Sequence, residues 1–259
     1  MTISENDIDE LKYAKDLLEN PGFAAKITNV LGSTIEKGFD FVPIKMSEII
    51  LHAARESLMK ALEFAVITMD DRKKSSSSNF FHKMSVAATG AIGGAFGLPA
   101  LGVELPVSTI IMLRSIADIA RSEGEMIKSI ETKLSCLQVF ALGGESNADD
   151  ATDSGYFMLR SALAYQVTEA SKYIIEKGIY DKGAPAIIRL ISTIASRYGV
   201  NISKKIAAQA VPVVGAGGGA LINTIFINHY QDMARGHFIV RRLERIYGTE
   251  AIQLLYEKL

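Results

Sequence analysis

The chain of 259 residues has no tryptophan and one cysteine. A single thiol, Cys136, cannot make an internal disulfide or a cysteine-rich zinc site, and it points to a reducing compartment. Without tryptophan, the aromatic belt of many spanning proteins lacks one usual component. Charge of one sign is also missing. Twenty-eight Lys and Arg face 29 Asp and Glu, for a formal net charge of −1. There is no global field to gather nucleic acid or an anionic membrane, so any such attraction needs a local patch. The first ten residues are polar and acidic, without a basic stretch followed by an apolar run. A secretory signal peptide is therefore not expected. Long alternation of apolar and polar residues is absent too, which removes the main signature of a half-buried strand.

What is present is helical spacing. Ile49, Ile50, Ala53, Ala54, Ser57, Leu58, Ala61, Leu62 and Ala65 trace one broad apolar face. Ile187, Ile188, Ile191, Ile194 and Ala195 trace another. Helices are expected near 6–19, 22–37, 46–69, 80–97, 106–122, 124–141, 155–178, 184–198, 203–211, 212–234 and 236–258, the last interrupted near Gly248. Pro43 and Pro106 stand where a helix can begin, because the first helical residue needs no N–H donor. Gly38, Gly178 and Gly199 stand where helices commonly end in a left-handed residue. Two linkers, Asp70 to Ser78 and Gly143 to Gly155, are charged, small and serine-rich or acidic. They have no apolar surface to bury and are expected to be exposed and mobile connections within one all-α array.

Two glycine-rich segments are the most informative feature. Between Lys83 and Arg114 the only charged residue is Glu104, and the segment holds Gly90, Gly93, Gly94 and Gly97 before a turn at Leu98 to Gly102. Between Lys205 and Asp232 there is no formal charge, and that segment holds Pro212, Gly215, Gly217, Gly218 and Gly219. Glycine costs a helix about 1 kcal/mol relative to alanine, so something must offset each cluster. Spacing of four residues places the glycines on one face, where a second helix can approach closely. Each segment runs into an apolar helix with a similar polar end, Asp118 to Arg121 and Asp232 to Arg235. The expected architecture is an all-α, multi-helix bundle around two central glycine-rich apolar hairpins, with internal duplication as a hypothesis. Both segments exceed the roughly 20 residues that span a bilayer, but glycine, alanine, threonine, Asn223 and Asn228 dilute their hydropathy. Burial inside a bundle, re-entrant insertion and true spanning are the three readings, and the amphipathic remainder of the chain suits the first two.

Candidate chemistry is sparse. His229 and Asp232 are spaced i, i+3, and His237 lies eight residues beyond His229, about 80° round a helix. Histidine with a carboxylate can do acid–base work, so these three are the weak catalytic candidates. The spacing is not that of an HExxH metalloprotease, and no third ligand is evident, so no metal or other cofactor is expected. No G-x-S-x-G elbow exists, and the stretch from Gly215 lacks the GK[ST] ending of a P-loop. His52 is expected to be a partly buried helix residue. Arg241, Arg242, Glu244 and Arg245 are expected on a solvated face that can also meet lipid phosphates. The paired ends Asp118–Arg121 and Asp232–Arg235 read as charges satisfying each other where a helix leaves the core, or more sharply as a functional polar centre.

Particular runs resemble a known family. They include Pro212-Val213-Val214-Gly215-Ala216, Asn223, Phe226, and Ala234-Arg235-Gly236-His237-Phe238 leading through Arg241 to Gly248. Further matches are Gly90 to Gly97, Leu105-Pro106, Arg114 to Ala120, Leu134 to Gly143, Gly155-Tyr156-Phe157 with Arg160, Pro185, and Arg197 to Val200. The sequence resembles the EcsC family over about 80–248, with looser similarity in the N-terminal helices. The chain is expected to be one domain over 1–259, with helices of 1–70 peripheral. The family is named for a protein encoded beside an ABC transporter, which implies membrane association and supplies no catalytic residues. The expected function is therefore a non-enzymatic, membrane-associated protein that binds lipid or acts on the bilayer. It would be cytoplasmic and peripheral to the inner face of the membrane. Gly90, Gly93, Gly94, Gly97, Gly215, Gly219, Leu221 and Ile225 would supply helix packing and membrane contact. Asp118, Arg121, Asn223, Asp232, Arg235 and His237 would form a polar lining. The alternatives are a hydrolase of lipid or peptide using the His and Asp residues, or an accessory protein of an ABC-type transporter. Membrane lipid is the leading partner, with a transporter and a second copy of the chain as further candidates and nucleic acid not expected.

Overall fold

The computed structural model describes residues 3–19, 22–31, 44–69, 97–143, 155–179, 184–209 and 215–259. Among these residues there are nine α-helices and no strand. In chain order they are α1 (Glu5–Glu19), α2 (Phe23–Leu31), α3 (Ile44–Thr68), α4 (Gly97–Ser122), α5 (Ile130–Gln138), α6 (Gly155–Lys177), α7 (Pro185–Gln209), α8 (Gly215–Tyr247) and α9 (Thr249–Lys258). A 3-10 turn, Val139–Ala141, continues α5.

The periodicity of α3 dictates its role. Ile50, Ala54, Leu58, Ala61, Leu62 and Ala65 are fully buried on one face, packed against α4 and α7. The long α8 packs on α1, α2, α4 and α7, and α9 folds back after it. The break between α8 and α9 falls at Gly248, as the sequence suggests. Its φ of +91° is one that L side chains rarely adopt. The most enclosed element is α5 with its 3-10 turn, where every residue from Thr132 to Leu142 is buried. Ser129 caps this helix by accepting a hydrogen bond from the Thr132 amide at 3.4 Å.

Several expected boundaries are corrected. Pro106 does not open a helix. α4 begins at Gly97 and runs through Pro106, so the expected turn at Leu98 to Gly102 is helical. An interior proline removes one backbone bond and costs about 3 kcal/mol. Burial of Leu105, Met112, Leu113 and Ile116 opposes that cost. Gly199 does not end a helix either. It lies inside α7, where a Cβ would sit in ordinary contact, 4.0 Å from Ile50 Cγ2 and from Leu51 Cα of α3. Gly236 likewise lies inside α8. The helix expected from 124 starts instead at Ile130, after turns at 123–129. Gly178 does end α6, with φ +78°.

The linker 70–78, most of the linker 143–155, Gly38, Pro43, Gly90, Gly93, Gly94 and Pro212 lie outside the described residues. Gly97 opens α4, while Gly215 and Gly219 form the first turns of α8. The expected hairpin pair and its duplication involve segments outside the described residues.

Candidate functional site

Polar groups collect where α4, α7 and α8 meet. On α7, Tyr198, Asn201 and Lys205 follow i, i+3, i+7 spacing and so share one face. Each finds a partner on another helix, α4 or α8. Tyr198 lies 2.9 Å from Thr109 Oγ1 of α4. The Thr109 hydroxyl donates to the Leu105 carbonyl at 2.7 Å, which leaves its oxygen to accept from the phenol. Asn201 Nδ2 donates to the Tyr230 hydroxyl of α8 at 3.0 Å and to the Gly143 carbonyl at 3.3 Å. Lys205 Nζ lies 3.5 Å from Glu104 Oε1 of α4 and 5.1 Å from the Phe226 ring centroid of α8.

Aromatic rings enclose this column. Phe140 approaches Tyr198 at 4.9 Å and Tyr230 at 5.3 Å, and Phe226 approaches Tyr230 at 5.2 Å. Such contacts give rigid, oriented packing in addition to buried area. Burial pushes both phenols, Tyr198 and Tyr230, above their ordinary range, so they act as hydrogen-bonding groups and not as phenolates.

The catalytic candidates do not assemble. His229 is fully buried between Phe23 and Tyr230, with ring centroids at 5.5 and 5.2 Å. Among the described residues no group, Asp232 included, is placed for an ordinary hydrogen bond with either of its nitrogens. Burial, reinforced by Lys26 and opposed by the Gly143 backbone, pushes its pKa down to about 3. Gly143 has φ +65°, and a Cβ there would fall 2.5 Å from His229 Nε2. The ring therefore fills the space that this glycine leaves. Asp232 is engaged elsewhere, with Lys26 at 2.8 Å and Arg235 at 3.2 Å. His237 lies about 12 Å further along the helix axis than His229. Its Nδ1 pairs with the Tyr156 hydroxyl at 2.9 Å inside a second aromatic cluster with Phe157 and Tyr256. Burial holds His237 well below the usual histidine range and pushes the Tyr156 phenol up to about 12. Among the described residues no group of three or more His, Cys, Asp or Glu is placed to hold a metal. Cys136 is buried, and burial raises its thiol pKa, which makes it a poor nucleophile.

The remaining expected site residues separate. Asp118 and Arg121 pair at 2.6 Å on the exposed side of α4. Asn223 accepts a hydrogen bond from Gln209 Nε2 at 3.4 Å near the surface. Gln231 Nε2 donates to Ser115 Oγ at 2.8 Å and ties α8 to α4. Leu221 is exposed and Ile225 is buried, so the two do not present one surface. His52, expected to be partly buried, is exposed on α3.

The largest correction concerns Arg241, Arg242, Glu244 and Arg245, which form an ionic hub and not a free solvated face. Glu244 takes Arg160 in a bidentate contact at 2.8 and 2.5 Å. Glu125 receives Arg241 Nε at 2.8 Å and also pairs with Arg245. Arg242 pairs with Glu10 of α1 and lies 3.4 Å from Glu123. Sequence reasoning missed this hub because its acidic partners are distant in the chain and carry no local pattern.

Among the described residues the chain is all-helical, and several buried hydrogen bonds and ion pairs tie one helix to another. The model of the EcsC protein family matches residues 9–243, and the chain belongs to that family. The match takes in the N-terminal helices, where similarity was expected to be loose. No curated protein and no solved structure matches the chain.

Proposed function

We propose that this EcsC family member is a non-enzymatic, peripheral membrane protein that binds lipid through the uncharged side of α8 and the glycine-rich stretches before α4 and α8. The observation that carries this reading is the outer face of α8. Leu221 and Ile227 are 39% and 37% exposed there, alongside exposed Thr224 and Asn228. No formal charge occurs from 206 to 231 to oppose contact with an acyl layer. The adjacent α4 adds half-buried Val107, Ile110 and Ile111. No described helix is long and apolar enough to cross a membrane. The proposed binding is therefore interfacial, with apolar side chains entering the headgroup boundary. With so few charges on this face, salt should weaken it little.

The test is co-flotation with phosphatidylcholine vesicles and with vesicles that also contain phosphatidylglycerol. Wild type should float with both, and Leu221→Asp/Ile227→Asp should lower binding by roughly tenfold or more. Ile225→Asp is unsuitable because Ile225 is only 9% exposed and its replacement would unfold the core. Folded wild-type protein that stays at the bottom of both gradients would remove the lipid-binding reading.

A further inference from the structure

The short helix α2 packs on α8 and α7. Phe23, Lys26 and Ile27 follow i, i+3, i+4 spacing and make its inner face. Phe23 and Ile27 are buried, and Lys26 Nζ pairs with Asp232 of α8 at 2.8 Å. The Phe23 ring meets the Phe226 ring edge-on at 5.1 Å and the His229 ring at 5.5 Å. His229 thus lies fully buried under α2, and among the described residues no group is placed for an ordinary hydrogen bond with either ring nitrogen. A neutral imidazole is tolerated there, and an imidazolium is not. Lys26 of α2 and Lys204 of α7 oppose a proton on the ring, while the Gly143 backbone favours one. On α8 itself, Asp232 is held by Lys26 and Arg235. The charged groups of α1 nearby, Lys15 and Glu19, face each other, with Lys15 on the Tyr256 carbonyl, and α4 meets α8 through Ser115 and Gln231.

We propose that α2 is an acid-released cover: a proton on His229 frees α2 from α8 and bares the aromatic wall of Phe226, His229 and Tyr230. The device is independent of whether the outer face of α8 meets lipid. With α2 in place, burial reinforced by Lys26 holds His229 at about 3, against an ordinary value of 6.5. With α2 away, the ring meets water and regains its ordinary value. The closed state is therefore favoured fully above 6.5 and loses ground as pH falls toward 3. Between these limits each unit of pH raises the open population about tenfold. A proton there also places a second positive charge beside Lys26, the residue that ties α2 to Asp232. His237 is differently placed. Its Nδ1 has the Tyr156 hydroxyl of α6 as a partner at 2.9 Å, so its titration acts on α6 and not on α2.

The experiment follows hydrogen exchange of the full chain at about pH 7.5 and about pH 5, corrected for the intrinsic rate, over α2 and over α5. In wild type α2 should open roughly thirtyfold more at the lower pH, while α5 keeps its protection. His229→Phe keeps a ring in the same place without a titrating group, and its α2 should open equally at both pH values. The proposal is overturned by wild-type opening of α2 that does not rise, by α5 losing protection in step with α2, or by a His229→Phe variant that keeps the rise. If His229→Phe does not fold, the wild-type profile decides alone. Opening of α2 must then be flat above about pH 6.5 and climb about tenfold per unit from there to about pH 5, and any other profile overturns the proposal.

Discussion

Replacing Gly236 with alanine sets two well-defined effects against each other. Gly236 lies in the interior of α8, where alanine is better than glycine by about 1 kcal/mol on helix propensity. Propensity alone therefore predicts a more stable protein. The neighbouring helix predicts the reverse. A Cβ at Gly236 would fall 2.6 Å from Leu18 Cγ, 3.2 Å from Leu18 Cδ2 and 2.9 Å from the Ala14 carbonyl oxygen of α1. The leucine can turn in part, but the carbonyl moves only if α1 moves. α1 is held by Arg242 on Glu10, by the Tyr247 hydroxyl donating to Asp7 at 2.6 Å, and by Lys15 donating to the Tyr256 carbonyl at 3.1 Å. Overpacking of this kind costs about 1–3 kcal/mol, and a backbone clash belongs at the upper end. The net expectation is a loss of about 2 kcal/mol, which for a chain of this size lowers Tm by roughly 4–8 °C. Thermal and urea melts followed by far-ultraviolet circular dichroism measure it. Adding Leu18→Ala should recover only part of the loss, since the carbonyl contact remains. A Gly236→Ala variant that melts at or above the wild-type temperature would show that α1 does not pack on α8 at this distance.

Two further predictions follow from the ionic hub. Glu244→Gln leaves Arg160 partly buried without its bidentate partner and should cost about 3 kcal/mol, read from the urea midpoint at constant slope. A midpoint within experimental error of wild type would mean that solvent already screens the pair. Burial alone would raise the pKa of Glu125, but the Arg241 hydrogen bond and the Arg241 and Arg245 charges outweigh it and hold the carboxyl below its ordinary value of 4.5. A carboxyl depressed in the folded state stabilises fully above its unfolded pKa, and that contribution is lost as pH falls through the folded value. Urea stability should therefore decline as pH drops below about 4.5, and Glu125→Gln should flatten this decline while lowering stability at neutral pH. An unchanged acid limb in Glu125→Gln would assign the decline to other carboxylates.

The sequence by itself determined the helical class, because spacing of three and four residues is a local property that one strand of text displays. The buried face of α3 from Ile50 to Ala65 and the break at Gly248 were both legible in that way. The family was legible too, from runs of residues that keep their order along the chain. What a residue does across helices was not. Gly199 resembles a helix end and Gly236 the start of a helix in the sequence, yet each lies within a helix, with α3 beside Gly199 and α1 passing closely at Gly236. Pro106 resembles a helix start, and burial of the residues around it favours a continuous α4. His229, Asp232 and His237 resemble a catalytic set, and their neighbours assign them to three different environments. The pairing of Glu104 with Lys205, of Glu125 with Arg241 and of Glu244 with Arg160 was decided only by the tertiary structure. An ion pair between distant residues needs no pattern near either one, only two helices brought together by the apolar surface they bury.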